Sequence, residues 1–315
     1  MIPDILAHKQ RQGCTIRPLP VTTANGYSSL SSLTDKLKSL PLYLLPHHLV
    51  SRVVFRLTRL QTRHCAFAIK KFSKIFKIDM QEALHESPTD YPSFNAFFTR
   101  ELKPGIRPLD TSAQGIASPV DGCVSQIGTI QGEQIFQAKG HQYTTLDLLG
   151  GRPQDTAAFK DGLFATLYLS PRDYHRIHMP LNAKLTSMHY IPGRLFSVAP
   201  HTVRVVPRLF ARNERVVALF DTDAGKLAMV LVGAINVAAI ETVWAGLITP
   251  PNTRNIIHRD YNDTAETISL AKGEEMGRFN MGSTVILLME KNADWREDLT
   301  EGSVVRMGES LGQFN

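Results

Sequence analysis

Residues 163–180 read LFATLYL-SPRDYHRIHMP, an apolar run followed by a polar loop that holds two histidines between prolines. The apolar run is short and stops just before Pro171, which predicts a buried strand rather than a helix. Loops that join fixed elements often carry function, so His175 and His178 are candidate catalytic residues. The stretch therefore predicts a β-rich body with chemistry at the end of a strand.

Similar short apolar runs, separated by glycines and prolines, occur on both sides of this stretch. They predict further strands at Gly122–Ile127, Arg215–Phe220, Ala228–Ile240 and Thr284–Leu288. The series contains no internal repeat and no glycine pattern typical of dinucleotide or phosphate binding. Residues 91–315 are therefore predicted to form one β-rich catalytic domain.

A basic segment precedes this body and contains no Asp or Glu between Lys36 and Lys77. Its basic residues recur at helical spacing and alternate with apolar residues. They are Arg52, Arg56, Arg59 and Arg63, then Lys70, Lys71, Lys74 and Lys77. An amphipathic helix pair with a basic polar face suits an anionic membrane surface. Residues 34–90 are therefore predicted to be a helical, membrane-associating region, although a solvated face of the domain or a nucleic-acid-binding surface has the same charge pattern.

The composition of the 315-residue chain is that of a globular protein, with 43% hydrophobic and 20% charged residues. Its formal net charge of +6 favours an anionic partner. The scattered Cys14, Cys65 and Cys123 suggest neither a disulfide framework nor a zinc site. The predicted fold class is α+β, with N-terminal basic amphipathic helices, a β-rich catalytic body and a flexible tail at residues 1–33.

Two more places could carry chemistry: Asp121 in the turn SPVDG, and Ser283 in the sequence MGST. Each pattern alone is commonly a structural turn. Together with His178, however, they supply the parts of an activated-serine system. Ser283 lacks the G-x-S-x-G elbow of an α/β-hydrolase. Instead it follows Gly282, whose missing side chain leaves its carbonyl open to attack by the serine hydroxyl.

Several ordered blocks occur from about residue 40 to the end of the chain. They are FNAFFTR at 94–100, PVDG at 119–122, YLSPRDYHRIHMP at 168–180, PGRLFSV at 192–198, LFARNER at 209–215, Gly233, ETVWAG at 241–246 and GRF at 277–279. Their order and content resemble the phosphatidylserine decarboxylase family of the bacterial and mitochondrial type. The family's processing site usually reads Leu-Gly-Ser-Thr, and Met281 replaces the leucine here. Because Met and Leu are similar in volume and polarity, the reacting bond is expected to be unaffected.

The resemblance implies a self-processing enzyme. The chain would cut itself between Gly282 and Ser283 into a long chain, 1–282, and a short chain, 283–315. Ser283 would become a covalent pyruvoyl group, so the cofactor is pyruvate and neither pyridoxal phosphate nor a metal is implied. The mature enzyme would decarboxylate phosphatidylserine through a Schiff base to this group and release phosphatidylethanolamine and CO₂.

The resemblance also assigns roles to side chains. His178, oriented by Asp121, would deprotonate the Ser283 hydroxyl for autocleavage. His175 would handle the substrate carboxylate or the return of a proton after CO₂ leaves. The implied partners are phosphatidylserine, an anionic phospholipid membrane, both chains of one precursor and a second copy in a homodimer, but no nucleic acid. The implied location is peripheral, on the cytoplasmic face of the bacterial inner membrane.

Other interpretations of the same residues stay open. A serine hydrolase could use Asp121, His178 and Ser283 in an intact chain. Asp173, His175 and His178 could be metal ligands of the two-His-one-carboxylate kind. A basic, non-enzymatic membrane or nucleic-acid-binding protein, or a pyruvoyl decarboxylase acting on another amine, would also fit parts of the pattern.

Overall fold

The computed structural model describes residues 34–37, 39–40, 42–43, 45–235, 239–249, 254–262, 267–280 and 283–315. The predicted tail at 1–33 and the glycine of the predicted cleavage site, Gly282, lie outside these residues. The described part is α+β as predicted, with helices near its N-terminal end and a β-rich body.

The helices are α1 His47–Thr58, α2 Cys65–Phe76, α3 Phe94–Phe98, α4 Thr145–Leu149, α5 Pro200–Val203 and α6 Leu209–Arg212. Short 3-10 helices span Met80–Glu82, Pro88–Asp90, Pro153–Asp155 and Ala157–Phe159. The strands are β1 Gly115–Ala117, β2 Gly122–Thr129, β3 Gln134–Ala138, β4 His141–Thr144, β5 Leu163–Tyr168, β6 Arg176–His178, β7 Ala183–Ile191, β8 Arg215–Thr222, β9 Gly225–Val232, β10 Ile240–Thr242, β11 Gly246–Leu247, β12 Ile257–Asp260, β13 Ser269–Leu270, β14 Glu275–Phe279, β15 Thr284–Met289, β16 Ala293–Trp295, β17 Val304–Val305 and β18 Ser310–Phe314.

The largest sheet of the described residues has the order β12-β7-β8-β9-β15-β5-β2-β17, with β13 paired to β7. All six residues of β15 are buried, as expected of a continuous apolar run inside a sheet. Thr284 at its start pairs with Tyr168 at the end of β5 and with Val232 at the end of β9. The antiparallel register therefore brings the residue before β15 to the loops that follow β5 and β9.

The strands predicted around residues 122, 163, 215 and 284 are confirmed at nearly the predicted bounds. The strand predicted at 228–240 is wrong beyond Val232. The chain leaves the sheet at Gly233, whose N–H donates to the Glu214 carbonyl at 2.8 Å. Ile240 begins β10, which belongs to a separate sheet of order β11-β10-β14-β6.

Helices α1 and α2 lie in the segment where two basic helices were predicted, but the arginine stripe is shorter than predicted. Helix α1 ends at Thr58 with Arg59 as its C-cap, so Arg63 lies beyond the helix. The buried side chains of α1 are the polar His47 and Ser51. Within the described residues, no helix is both long enough and apolar enough to cross a membrane.

Helix α2 packs on α3 through a second hydrophobic cluster that includes Cys65, Ile69, Tyr91 and Phe97. The Ser93 hydroxyl caps α3 by accepting the Ala96 N–H at 3.2 Å. At the other end of α3, the ring centroid of Phe98 lies 4.1 Å from that of His175 in the loop that follows β5.

Candidate active site

Two hydrogen bonds join the loop after β5 to the segments around the start of β15. The Leu169 N–H donates to the Ser283 carbonyl at 2.9 Å, and the Phe279 N–H donates to the His175 carbonyl at 3.0 Å. The predicted site residues Ser283 and His175 are distant in sequence, yet they lie at the same end of the central sheet.

The side chain of Ser283 is fully buried. Its hydroxyl has no hydrogen-bond partner among the described residues. An unpaired buried hydroxyl costs free energy, so it calls for a functional explanation. The Thr284 hydroxyl is buried and unpaired in the same way. Ser283 differs from Thr284 in following a glycine and in bonding through its carbonyl to the loop that carries His175.

His175 is buried and neutral. Its Nδ1 lies 2.8 Å from the Asp173 carbonyl oxygen, so this nitrogen carries the proton in the tautomer that the hydrogen bond requires. The Nε2 atom has no partner among the described residues. Burial, together with the charge of Arg100, lowers the pKa of His175 to about 3. His175 therefore presents an unprotonated nitrogen within the site.

His178 is oriented by a backbone carbonyl, that of Gly273, and by the hydroxyl of Tyr174. Its Nδ1 donates to the Gly273 carbonyl at 2.8 Å. The Tyr174 hydroxyl donates to its Nε2 at 3.0 Å. Burial raises the pKa of Tyr174, so that phenol stays protonated, and burial also lowers the pKa of His178. Tyr174 thus occupies the nitrogen through which His178 would act as a base.

The carboxylate of Asp121 has other partners than His178. It accepts hydrogen bonds from Arg107 Nε at 2.9 Å and Nη2 at 2.6 Å, and from the Met307 N–H at 2.9 Å. Among the described residues, no hydrogen bond joins Asp121 to His178; its charge only favours the imidazolium form. The two motifs meet through the backbone, where the His178 N–H donates to the Pro119 carbonyl at 2.9 Å. The orientation of His178 by Asp121 stays a prediction.

The family model described as phosphatidylserine decarboxylase matches residues 94–313. The chain belongs to the phosphatidylserine decarboxylase family. A second model, described as PSD, matches residues 37–77, which include α1 and α2.

Several relatives carry the name phosphatidylserine decarboxylase proenzyme. That of Alkalilimnicola ehrlichii is 59% identical over 81% of this chain and 88% of its own length. Those of Shewanella amazonensis and Shewanella sediminis are 54% and 53% identical, each over 89% of this chain and 99% of their own length. The word proenzyme in these names fits a precursor that is processed.

In this member of the family, a polar network holds the chain just ahead of the expected processing site. The Asn280 Nδ2 donates to Glu241 at 3.0 Å, and its Oδ1 accepts from Asn95 at 2.8 Å. Glu241 also accepts from Arg278 at 2.8 Å and forms an ion pair with Arg59 at 3.5 Å. This network holds in place the residues that directly precede the processing site in the sequence.

The sequence analysis missed Tyr174, Arg107 and the Asn95–Asn280 pair as site residues. The only signal was that Tyr174 and Asn95 lie inside family blocks. The alternative metal site has no support in the described residues, where no group of three or more His, Cys, Asp or Glu side chains could hold a metal ion.

Proposed function

We propose that this chain is a phosphatidylserine decarboxylase that makes its pyruvoyl group from its own Ser283 and forms phosphatidylethanolamine and CO₂. The observation that carries the proposal is the fully buried, unpaired Ser283 hydroxyl at the start of β15, where the Ser283 carbonyl accepts the Leu169 N–H of the loop at residues 169–175 (the histidine loop). Membership of the family supports the choice of substrate.

The maturation chemistry uses residues of the chain itself. His178 takes the proton of the Ser283 hydroxyl, after the hydrogen bond from Tyr174 has broken. The Ser283 oxygen attacks the Gly282 carbonyl, and the amide becomes an ester with a free Ser283 amine. Loss of the Ser283 Cα proton expels the Gly282 carboxylate, and hydrolysis of the remaining enamine releases ammonia and leaves the pyruvoyl group.

The surroundings of Ser283 fit this group, because the position is buried and His175 offers an unpaired Nε2 on the adjoining loop. When present, the pyruvoyl ketone supplies the electron sink that no ordinary side chain offers to an amino-acid decarboxylation. His175 takes a proton from the substrate ammonium and returns it to Cα after CO₂ leaves. The anionic head group raises the low pKa of His175 on binding, since a nearby negative charge favours imidazolium.

An apolar cavity of about 160 Å³ supports a lipid substrate. Its lining includes Phe72 and Phe76 of α2, Phe98 beside His175, and Tyr168 at the end of β5. The cavity therefore runs from α2 to the start of the histidine loop, along the path that a lipid from the bilayer would take.

The helix pair supports peripheral binding to an anionic membrane. Helix α1 buries polar side chains and leaves apolar ones in solvent, with Leu49 and Leu57 each 60% exposed. On α2, Phe67 is 71% exposed. Exposed apolar side chains among cations mark a membrane surface better than a packed face. We further propose that the protein acts as a homodimer on the cytoplasmic face of the bacterial inner membrane.

The activity is tested with purified protein and vesicles of phosphatidylcholine that contain phosphatidylserine. We expect phosphatidylethanolamine and CO₂ to form in equal amounts, and neither to form from vesicles that contain phosphatidylglycerol instead. Cleaved protein that leaves phosphatidylserine intact but decarboxylates a soluble amino acid would contradict the lipid substrate.

Membrane binding should weaken when α2 loses its charge. Each basic residue near an anionic surface contributes about 1 kcal/mol, so changing Lys70, Lys71 and Lys74 to Gln should weaken vesicle binding roughly 100-fold. The measurement is sedimentation with phosphatidylserine vesicles at several salt concentrations. A matched triple change of the exposed Lys160, Lys184 and Lys291 to Gln should have a much smaller effect. Equal loss in both triple variants would contradict a role for α2.

A further inference from the structure

Arg100 is a buried cation that forms no ion pair with any of the described residues. Its side chain is 5% exposed, and its Nη2 donates to the Arg172 carbonyl at 3.2 Å. The Nε and Nη1 atoms are buried and have no hydrogen-bond partner among the described residues. Burial of an unpaired charge is costly, so the two free donor atoms call for an anionic partner.

Arg100 lies beside the proposed active site. It follows Phe98, whose ring contacts His175, and its charge lowers the pKa of that histidine. The hydrogen bond from its Nη2 to the Arg172 carbonyl fixes the side chain against the loop that follows β5. Asp173 and Tyr174, which form hydrogen bonds with His175 and His178, line the same cavity as Arg100, so this cavity adjoins the catalytic histidines.

A cavity of about 400 Å³ gives a ligand room beside Arg100. The four acidic side chains in its lining have other partners: Asp121 and Glu82 bind Arg107, the Asp173 carboxylate accepts from Ser170, and the Asp79 carboxylate accepts from the Gln81 N–H. Against the lowering by burial, the charges of Asp121 and Glu82 raise the pKa of Arg100 from a distance. Neither carboxylate bonds to its guanidinium, so the two free donor atoms are available to a bound ligand.

We propose that Arg100 binds the phosphodiester of the substrate head group through Nε and Nη1. This assignment rests on the proposed function. The head group carries two anions, a phosphodiester and a carboxylate. A cation on the carboxylate would stabilise the substrate more than the transition state, in which that charge is leaving. The phosphodiester keeps its charge throughout the reaction, so a cation there strengthens binding without opposing CO₂ loss.

The test compares two soluble inhibitors of the matured enzyme. Glycerophosphoethanolamine has the amine and the phosphodiester, and O-methyl-L-serine has the amine and the carboxylate. Intact mass first establishes that Arg100→Gln is cleaved like the wild type. We expect Arg100→Gln to raise the inhibition constant of glycerophosphoethanolamine roughly 10- to 100-fold, the usual range for a lost charged hydrogen bond. The constant of O-methyl-L-serine should change less than twofold.

A weaker O-methyl-L-serine with unchanged glycerophosphoethanolamine would overturn the proposal in favour of the carboxylate. No change in either constant, or loss of cleavage in a folded Arg100→Gln, would also overturn it, because Arg100 would then serve structure or maturation. If Arg100→Gln does not fold, Arg100→Lys is used, with a smaller rise expected for glycerophosphoethanolamine alone. A wild type that is cleaved, binds both inhibitors and forms no phosphatidylethanolamine would instead refute the proposed function.

Discussion

Ser283→Ala is expected to give one uncut chain and no detectable decarboxylation. Without the hydroxyl, the Gly282 carbonyl has no internal nucleophile, and without cleavage no pyruvoyl group forms. Intact mass under denaturing conditions measures this directly. The wild type should separate into residues 1–282 and 283–315, with the short chain lighter by one ammonia than a serine-ended peptide.

Thr284→Val is the matched control for this variant. Thr284 is also fully buried, and its hydroxyl also has no partner among the described residues. It differs from Ser283 in lying within β15 and in having no glycine before it. Thr284→Val should be cleaved like the wild type. Two results would contradict the role of Ser283: cleavage of the Ser283→Ala chain, or decarboxylation of phosphatidylserine by the uncut Ser283→Ala chain.

Cleavage should not separate the two chains under native conditions. The short chain begins with β15, which pairs along its whole length with β5 on one side and β9 on the other. The later strands β17 and β18 pair with β2 and β1 of the long chain. Because β15 is buried inside the central sheet and β18 pairs in a second sheet, the cut removes one backbone connection and leaves these contacts in place.

The sequence was sufficient to predict β15 and β5, because a fully buried strand consists of consecutive apolar residues. It also predicted two amphipathic helices. It could not predict which face of α1 is buried, because periodicity defines two faces but not their environment. The polar His47 and Ser51 are the buried residues of α1, and Leu49 and Leu57 are exposed. This choice depends on tertiary packing of the helix against the body.

The contacts of the site residues were less predictable than their identities. His178 was expected to be oriented by Asp121, but its two ring nitrogens bond to Gly273 and Tyr174. Gly273 lies far along the chain, and no sequence pattern shows that its carbonyl faces a histidine. Such pairings follow from strand register, here that of β6 with β14, which single-sequence patterns do not specify.

The second large effect concerns the division of labour between the two histidines. His178→Ala should slow autocleavage by roughly 10²- to 10⁴-fold, the usual contribution of a general base. His175→Ala should be cleaved and carry the pyruvoyl group, but should lose decarboxylation by a similar factor. The measurements are the rate of chain cleavage by intact mass and, on the cleaved fraction, phosphatidylethanolamine formation.

The pH dependence of cleavage checks the assignment independently. Burial lowers the pKa of His178 below its ordinary value of 6.5, so the ring is neutral at pH 7. The cleavage rate should therefore be constant above about pH 6.5 and should fall only at lower pH, as the ring becomes protonated. Because the Tyr174 hydroxyl occupies Nε2, Tyr174→Phe should free that nitrogen without removing the acid limb of the profile.

If His175→Ala and His178→Ala abolish cleavage equally, one histidine cannot be reserved for each reaction, and His175 must also take part in maturation.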